Sequence, residues 1–147
     1  GVIKHGSKMI QAVANATVPK ISINVGGSYG AGNYAMCGRG LDPTFIFAWP
    51  NSRTAVMGGP QAGKVLRIVT EAKQLKMGMT PDPKMLDMIE TATAQKLDAG
   101  STSLFGTARI WDDGIIDPAK TRDILALGIE ASLSAPIVDR KIGIYRM

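Results

Sequence analysis

The stretch Gly26-Gly27-Ser28-Tyr29-Gly30-Ala31-Gly32-Asn33 holds the residue types and spacing most suited to chemistry in this chain. It follows the alternating run Ile21-Ser22-Ile23-Asn24-Val25 and precedes small residues that suit a short helix from Gly30 to about Gly38. A strand, a glycine-rich turn and a helix start, in that order, aim backbone N–H groups outward, because the first N–H groups of a helix have no carbonyl behind them. Such a place can bind a phosphate or hold an oxyanion, and glycine permits the dihedrals and the close approach this needs. Three readings stand side by side. One is a dinucleotide loop, although Gly27-x-x-Gly30-x-Gly32 does not follow the Gly-x-Gly-x-x-Gly order and no acidic residue ends a following strand about 20 residues on. The second is an oxyanion hole. The third is plain close packing of helix on strand.

Side chains that usually carry reactions are scarce. There is no P-loop and no Gly-x-Ser-x-Gly elbow with a downstream histidine. His5, the single histidine, lies far upstream on a helix and reads as a surface or packing residue. Cys37, the single cysteine, sits among small apolar residues and reads as packing. Asp112 and Asp113 are adjacent carboxylates on a turn, where turn and cap chemistry outweighs acid/base work. One Cys and one His make no credible zinc site, so no metal is expected. A donor-rich turn without an acid, base or nucleophile suits a protein that stabilises enolate-like oxyanions while a cofactor supplies the reactive group.

The elements that must position this turn follow from periodicity. Residues 2–16 predict a helix with Ile3, Ile10, Val13 and Ala14 on one stripe. Ile21 to Val25 predicts a strand with one buried face, Phe45 to Trp49 a buried strand, and Thr54 to Met57 a short one. Pro60 to Met77 predicts a helix with proline in its favoured first position, closed by Gly78. Residues 83–99 predict another, with Met85, Met88, Ile89 and Ala92 inward. Ala108 to Trp111 reads as a brief strand. Asp117-Pro118 reads as the start of a helix with Ile124, Leu127, Gly128 and Ala131 on one stripe. Strands interleaved with helices give an α/β class with one domain over 1–147. Three strands in the first sixty residues make a thin sheet, so its neighbours are expected outside this chain.

Bulk properties agree with a globular chain. Of the 147 residues, 45% are hydrophobic and 20% charged. No apolar run reaches the ~20 residues of a membrane-spanning helix, and the start lacks the layout of a signal peptide. The absence of an initiator Met gives the expectation of a piece of something longer. The lone cysteine suits a reducing compartment. The net charge of +5 is scattered, with no Lys/Arg run of five or more, so neither nucleic acid nor membrane is an expected partner. A mild positive field suits an anionic substrate such as a CoA ester.

The longer motifs carry a resemblance. Residues 18–39, running through Asn24-Val25-Gly26-Gly27-Ser28-Tyr29-Gly30-Ala31-Gly32-Asn33, are similar to the carboxyltransferase β subunits of 3-methylcrotonyl-CoA and geranyl-CoA carboxylases. Phe47 to Gly59 and Ala108 to Arg122 continue the likeness in one register, and Tyr145-Arg146-Met147 resembles the end of such subunits. The resemblance implies a crotonase-like spiral fold, this chain being most of the second, C-terminal carboxyltransferase domain without its first strands.

It also implies transfer of CO2 from carboxybiotin to the γ-carbon of a branched α,β-unsaturated acyl-CoA. The biotin would be carried by a partner α subunit with biotin carboxylase and carrier domains. Other β subunits would complete a homo-oligomer, typically a hexamer. The compartment implied is the bacterial cytoplasm, or the mitochondrial matrix in a eukaryote. The motif match puts the biotin-side oxyanion hole at the backbone N–H groups of Ala31 and Gly32. Gly30 shapes that turn, and Gly30, Tyr29, Gly58 and Gly59 are the residues implied to bind the biotin cofactor, Gly58 and Gly59 from a second tight turn lining the same cleft. The departure Pro60-Gln61-Ala62-Gly63 after Gly59 tilts the substrate toward geranyl-CoA. The alternatives are a stand-alone enoyl-CoA hydratase or isomerase, for which no acidic residue stands out, and a non-catalytic oligomerisation fragment. The fragment alone is expected to be inactive.

Overall fold

Parallel strands cannot be joined by a tight hairpin, and the chain solves this twice within its first half. In the computed structural model, which describes residues 1–136, strand β1 (Ile21–Asn24) pairs in parallel with β3 (Phe45–Ala48), Ile21 lying opposite Phe45 and Asn24 opposite Ala48. Strand β2 (Gly27–Tyr29) pairs in parallel with β4 (Arg53–Ala55), Gly27 opposite Arg53. The crossover from β1 to β3 contains β2, helix α2 (Gly30–Ala35) and a 3-10 turn at Arg39–Leu41. The glycine-rich segment is therefore not a single turn. Its first half is a strand, because Ser28 and its neighbours find a ladder partner in β4, which the sequence pattern of glycines conceals.

Helix α1 (Val2–Asn15) precedes this unit. Its expected stripe is only partly inward: Val13 is half-buried, but Ile3 is exposed and Ser7 is the buried residue. Strand β1 was expected to bury one face, yet all four of its residues are half-buried. The polar side is covered because the Ser22 hydroxyl donates to the Cys37 carbonyl at 2.9 Å. Strand β3 alternates as expected, with Ile46 and Ala48 buried and Phe45 and Phe47 stacked 5.7 Å apart on its other face.

Helices α3 (Gly59–Lys76) and α4 (Pro83–Ala99) form a hairpin with boundaries close to those expected. Glycine spacing sets its contact. A Cβ on Gly63 would lie 2.4 Å from the Glu90 carbonyl oxygen, and one on Gly59 would lie 2.6 Å from that of Ala94. Two glycines four residues apart thus meet two backbone carbonyls four residues apart, which brings the helix axes close. This contact rotates α4 away from the expected stripe. Leu86 is its buried residue, at 2% exposure, whereas Met88 is 73% exposed. Arg67 ties the hairpin from outside by donating to Asp87 and, at 3.2 Å, to Glu90; these hydrogen bonds hold its guanidinium above the usual arginine range.

The stretch Ala108–Trp111 is not a strand. Helix α5 (Ser103–Thr107) runs into a turn in which Ile110 N–H bonds to the Thr107 carbonyl and Trp111 N–H to that of Gly106. Local bonds consume the donors a ladder would need. Asp117 acts as a cap, accepting from Ala119 N–H at 2.9 Å, but the first turn is 3-10 at Pro118–Lys120 before helix α6 (Thr121–Leu133). Gly128 is the buried residue of α6, against Ile21 and Phe45, while Leu127 and Ala131 of the expected stripe are exposed. The likeness at Tyr145–Met147 lies outside the described residues. Among the described residues, no helix is long and apolar enough to cross a membrane.

Candidate active site

The site is built where β2 hands over to α2. Tyr29 occupies the cap position in extended conformation and contributes no side-chain cap. The N–H groups of Gly30, Ala31 and Gly32 are the first three of the helix, so helix geometry gives them no intrahelical carbonyl. Gly30 turns the chain at φ +53°, in the left-handed region that favours glycine. A Cβ there would also stand 2.7 Å from the Val56 carbonyl oxygen, just beyond β4. The paired strands thus bring the end of β4 directly under the helix start. At Gly32, in contrast, a Cβ would meet nothing within 4 Å.

These donors border a cavity of about 1010 Å³. Gly30 and Ala31 line it, together with Ser28, Asn33, Met36 and Val56, and Ile46 contributes from β3. A volume of this size lies at the upper end of what small-molecule sites use. Its wall is mainly apolar, with Arg39 and Asp112 as the charged residues on it.

Gly32 and Tyr29 flank the lining without being part of it, and Gly58 and Gly59 stand apart from it. Gly59 is buried against α4, and Gly58 is the cap of α3. The structure therefore brings Gly30 and Ala31 together with the cavity, packs Gly59 against α4 and sets Gly58 as the cap of α3 beside the Gln61 side chain.

The two adjacent carboxylates are occupied by structural ties. Asp112 is buried and accepts from the Thr107 hydroxyl at 2.7 Å and from Gly114 N–H at 3.1 Å. Asp113 accepts from Ile46 N–H at 2.7 Å and from Arg39 at 3.3 Å, and its own N–H bonds back to the Ile46 carbonyl at 2.7 Å. It extends the edge of β3 as a short surrogate strand. Cys37 is buried at φ +65°, and His5 is exposed on α1. Among the described residues, no group of three His, Cys, Asp or Glu side chains converges as a metal site would require. What the site offers is a helix start with three successive backbone donors, Gly30 and Ala31 on a roomy cleft and Gly32 at its edge. Two features escaped the sequence reading: the strand inside the glycine run, and the Asn33–Ser28 hydrogen bond at 2.8 Å across the handover. The second was visible only as an Asn five residues after a Ser.

Comparison with known proteins decides the family. A model of the carboxyl transferase domain matches residues 1–143. The chain belongs to that family. Along its whole length it is 45% identical to a probable methylcrotonoyl-CoA carboxylase β chain, mitochondrial, of Drosophila melanogaster, of which it covers 25%. It is 45% identical over 148 residues to the biotin-dependent 3-methylcrotonyl-coenzyme A carboxylase β1 subunit of Mycobacterium tuberculosis, of which it covers 28%. Among solved structures, the β subunit of geranyl-CoA carboxylase from P. aeruginosa is 67% identical with a TM-score of 0.82; the match covers all of this chain and 28% of that one. The transcarboxylase 12S hexamer is similar at 30% identity and a TM-score of 0.76, over 26% of its chain.

The carboxyl transferase chain described here thus spans about a quarter of the length of the curated relatives it matches. Its α/β architecture is that of the crotonase-like carboxyltransferase domains. The repeated parallel pairing of β1 with β3 and β2 with β4 is its local expression.

Proposed function

We propose that this carboxyl transferase segment supplies the biotin side of an active site in a biotin-dependent acyl-CoA carboxylase. The observation that carries the reading is the start of α2. The N–H groups of Ala31 and Gly32 lack intrahelical partners, no side chain caps them, and Ala31 opens onto the cavity. Neutral donors of this kind fit the ureido oxygen of biotin, which needs hydrogen bonds as negative charge gathers on it. Biotin would supply the transferable carboxyl group, brought by a partner subunit. The chain's own part is to hold that oxygen on Ala31 and Gly32 through a turn shaped by Tyr29 and Gly30. Preorganised backbone donors need no reorganisation during the reaction, and the loss of one such donor typically costs about 10²–10³ in rate.

Geranyl-CoA is the favoured acyl substrate and 3-methylcrotonyl-CoA the next. The 67% identity to a geranyl-CoA carboxylase β subunit, against 45% to methylcrotonyl relatives, supports that order. So does the Pro60-Gln61-Ala62-Gly63 departure. Assembly with other β subunits is supported by the likeness to the transcarboxylase 12S hexamer at 30% identity and a TM-score of 0.76. The compartment proposed is the cytoplasm in a bacterium and the mitochondrial matrix in a eukaryote.

The test uses the full-length chain carrying this segment, mixed with a biotinylated α subunit, ATP and bicarbonate. Carboxylation of geranyl-CoA is expected at a higher kcat/KM than that of 3-methylcrotonyl-CoA. Gly32→Val should abolish turnover while the oligomer persists in sedimentation. Normal turnover in that variant would refute the assignment of the donors. Hydration of an enoyl-CoA without biotin would instead favour a hydratase.

A further inference from the structure

The donors of α2 are useful only if the helix start is held at a fixed angle to the sheet. Helices commonly fix their entry angle with an apolar contact between the residue before the cap and the fourth helical residue. Counted from the cap at Tyr29, those two positions here are Ser28 and Asn33. They are polar, and they are joined: Asn33 Nδ2 donates to Ser28 Oγ at 2.8 Å. Ser28 belongs to β2 and lies opposite Thr54 of β4, so the bond ties the helix to the paired strands. The other end of the Asn33 amide rests on Gly38, where a Cβ would stand 2.5 Å from Oδ1. The amide is therefore braced between a hydroxyl and a glycine backbone. Both Ser28 and Asn33 line the cavity and are half-buried.

We infer that Asn33 and Ser28 form a positioning pair that sets the direction of the Ala31 and Gly32 N–H groups, a polar staple in place of the usual apolar one. The inference rests on the reading of those donors as the biotin-side oxyanion hole. Loss of the pair should let the helix start swing, and a displacement of about 1 Å in such a site lowers rates by up to about 10²-fold.

The experiment measures steady-state transfer in the full-length chain assembled with its biotinylated partner, for Ser28→Ala, Asn33→Ala and the double variant. Alanine is a better helix former than asparagine, so Asn33→Ala should keep α2 intact. The expected result is a loss in kcat of about tenfold or more for each single variant, with KM for the acyl-CoA within about twofold. The double variant should lose no more than Asn33→Ala alone, because Asn33→Ala already breaks the one bond that Ser28→Ala removes. Ser28→Thr, which keeps the hydroxyl, should recover most of the rate. Wild-type kcat in both alanine variants overturns the inference. So do additive losses that track a falling Tm, the mark of two unrelated structural roles. Gly32→Val, run in parallel, separates the two levels. If it is inactive while Ser28→Ala and Asn33→Ala turn over normally, only the positioning pair fails; if it is active, the donor reading fails and takes this inference with it.

Discussion

Gly30 and Val56 meet so closely that a side chain at position 30 would put its Cβ 2.7 Å from the Val56 carbonyl oxygen. The obstacle is backbone, from the residue just past β4, so it cannot rotate away. Gly30 also sits at φ +53°, where an L-residue with a side chain pays roughly 1–2 kcal/mol. Gly30→Ala should therefore both destabilise the chain and shift the start of α2. Chemical denaturation should show a loss of about 2 kcal/mol or more, accompanied by a fall in carboxyl transfer. Unchanged stability would mean that Val56 is not held where it lies.

Gly32, two residues on, is expected to behave in the opposite way. No atom lies within 4 Å of its would-be Cβ, and its φ is not in the left-handed region. Gly32→Ala should keep or raise stability, by up to about 1 kcal/mol, because alanine favours the helix. A denaturation midpoint clearly below that of the parent chain would contradict the open space seen there. The contrast with Gly30→Ala separates folding demands from donor access within one turn of helix.

Gly63 tests the helix hairpin. Its Cβ would fall 2.4 Å from the Glu90 carbonyl oxygen, so Gly63→Ala must push α3 and α4 apart. Overpacking of this kind costs about 1–3 kcal/mol. The loss should appear in stability, with KM for the acyl-CoA unchanged, since Gly63 does not line the cavity. A larger effect on KM than on stability would place the hairpin in substrate binding.

Asp113 holds the edge of β3 through the Ile46 N–H at 2.7 Å. Asp113→Ala leaves that buried donor without its acceptor, which costs about 1–3 kcal/mol. Asp113→Asn keeps an acceptor oxygen and should recover most of this. The ion pair with Arg39 is exposed and contributes at most about 1 kcal/mol, so raising the salt concentration should narrow the gap between parent and variant only slightly. Equal stability of Asp113→Ala and Asp113→Asn would show that the Ile46 bond contributes nothing.

What the sequence determines on its own here is mostly local. Helix ends at Pro83 and near Met77, and the cap at Asp117, follow from proline, glycine and aspartate chemistry that acts within a few residues. The glycine run and the lack of reactive side chains were enough to mark residues 26–33 as a candidate anion or oxyanion site, the long motifs were enough to name the family, and only that resemblance pointed to the Ala31 and Gly32 N–H groups. Faces were a different matter. Leu86 rather than Met88 points inward because Gly59 and Gly63 dictate how α4 rotates against α3, a contact between residues some thirty positions apart. The short strand at Gly27–Tyr29 exists because β4 pairs with it, and three residues with two at its ends glycine or exposed carry no pattern of their own. The turn at Ala108–Trp111 shows the converse, an apolar run whose donors are taken by bonds to Gly106 and Thr107. Ladder partners, helix rotation and the bond from Asn33 to Ser28 are pairings across space, and only the tertiary structure chooses among the pairings that a periodic sequence leaves open.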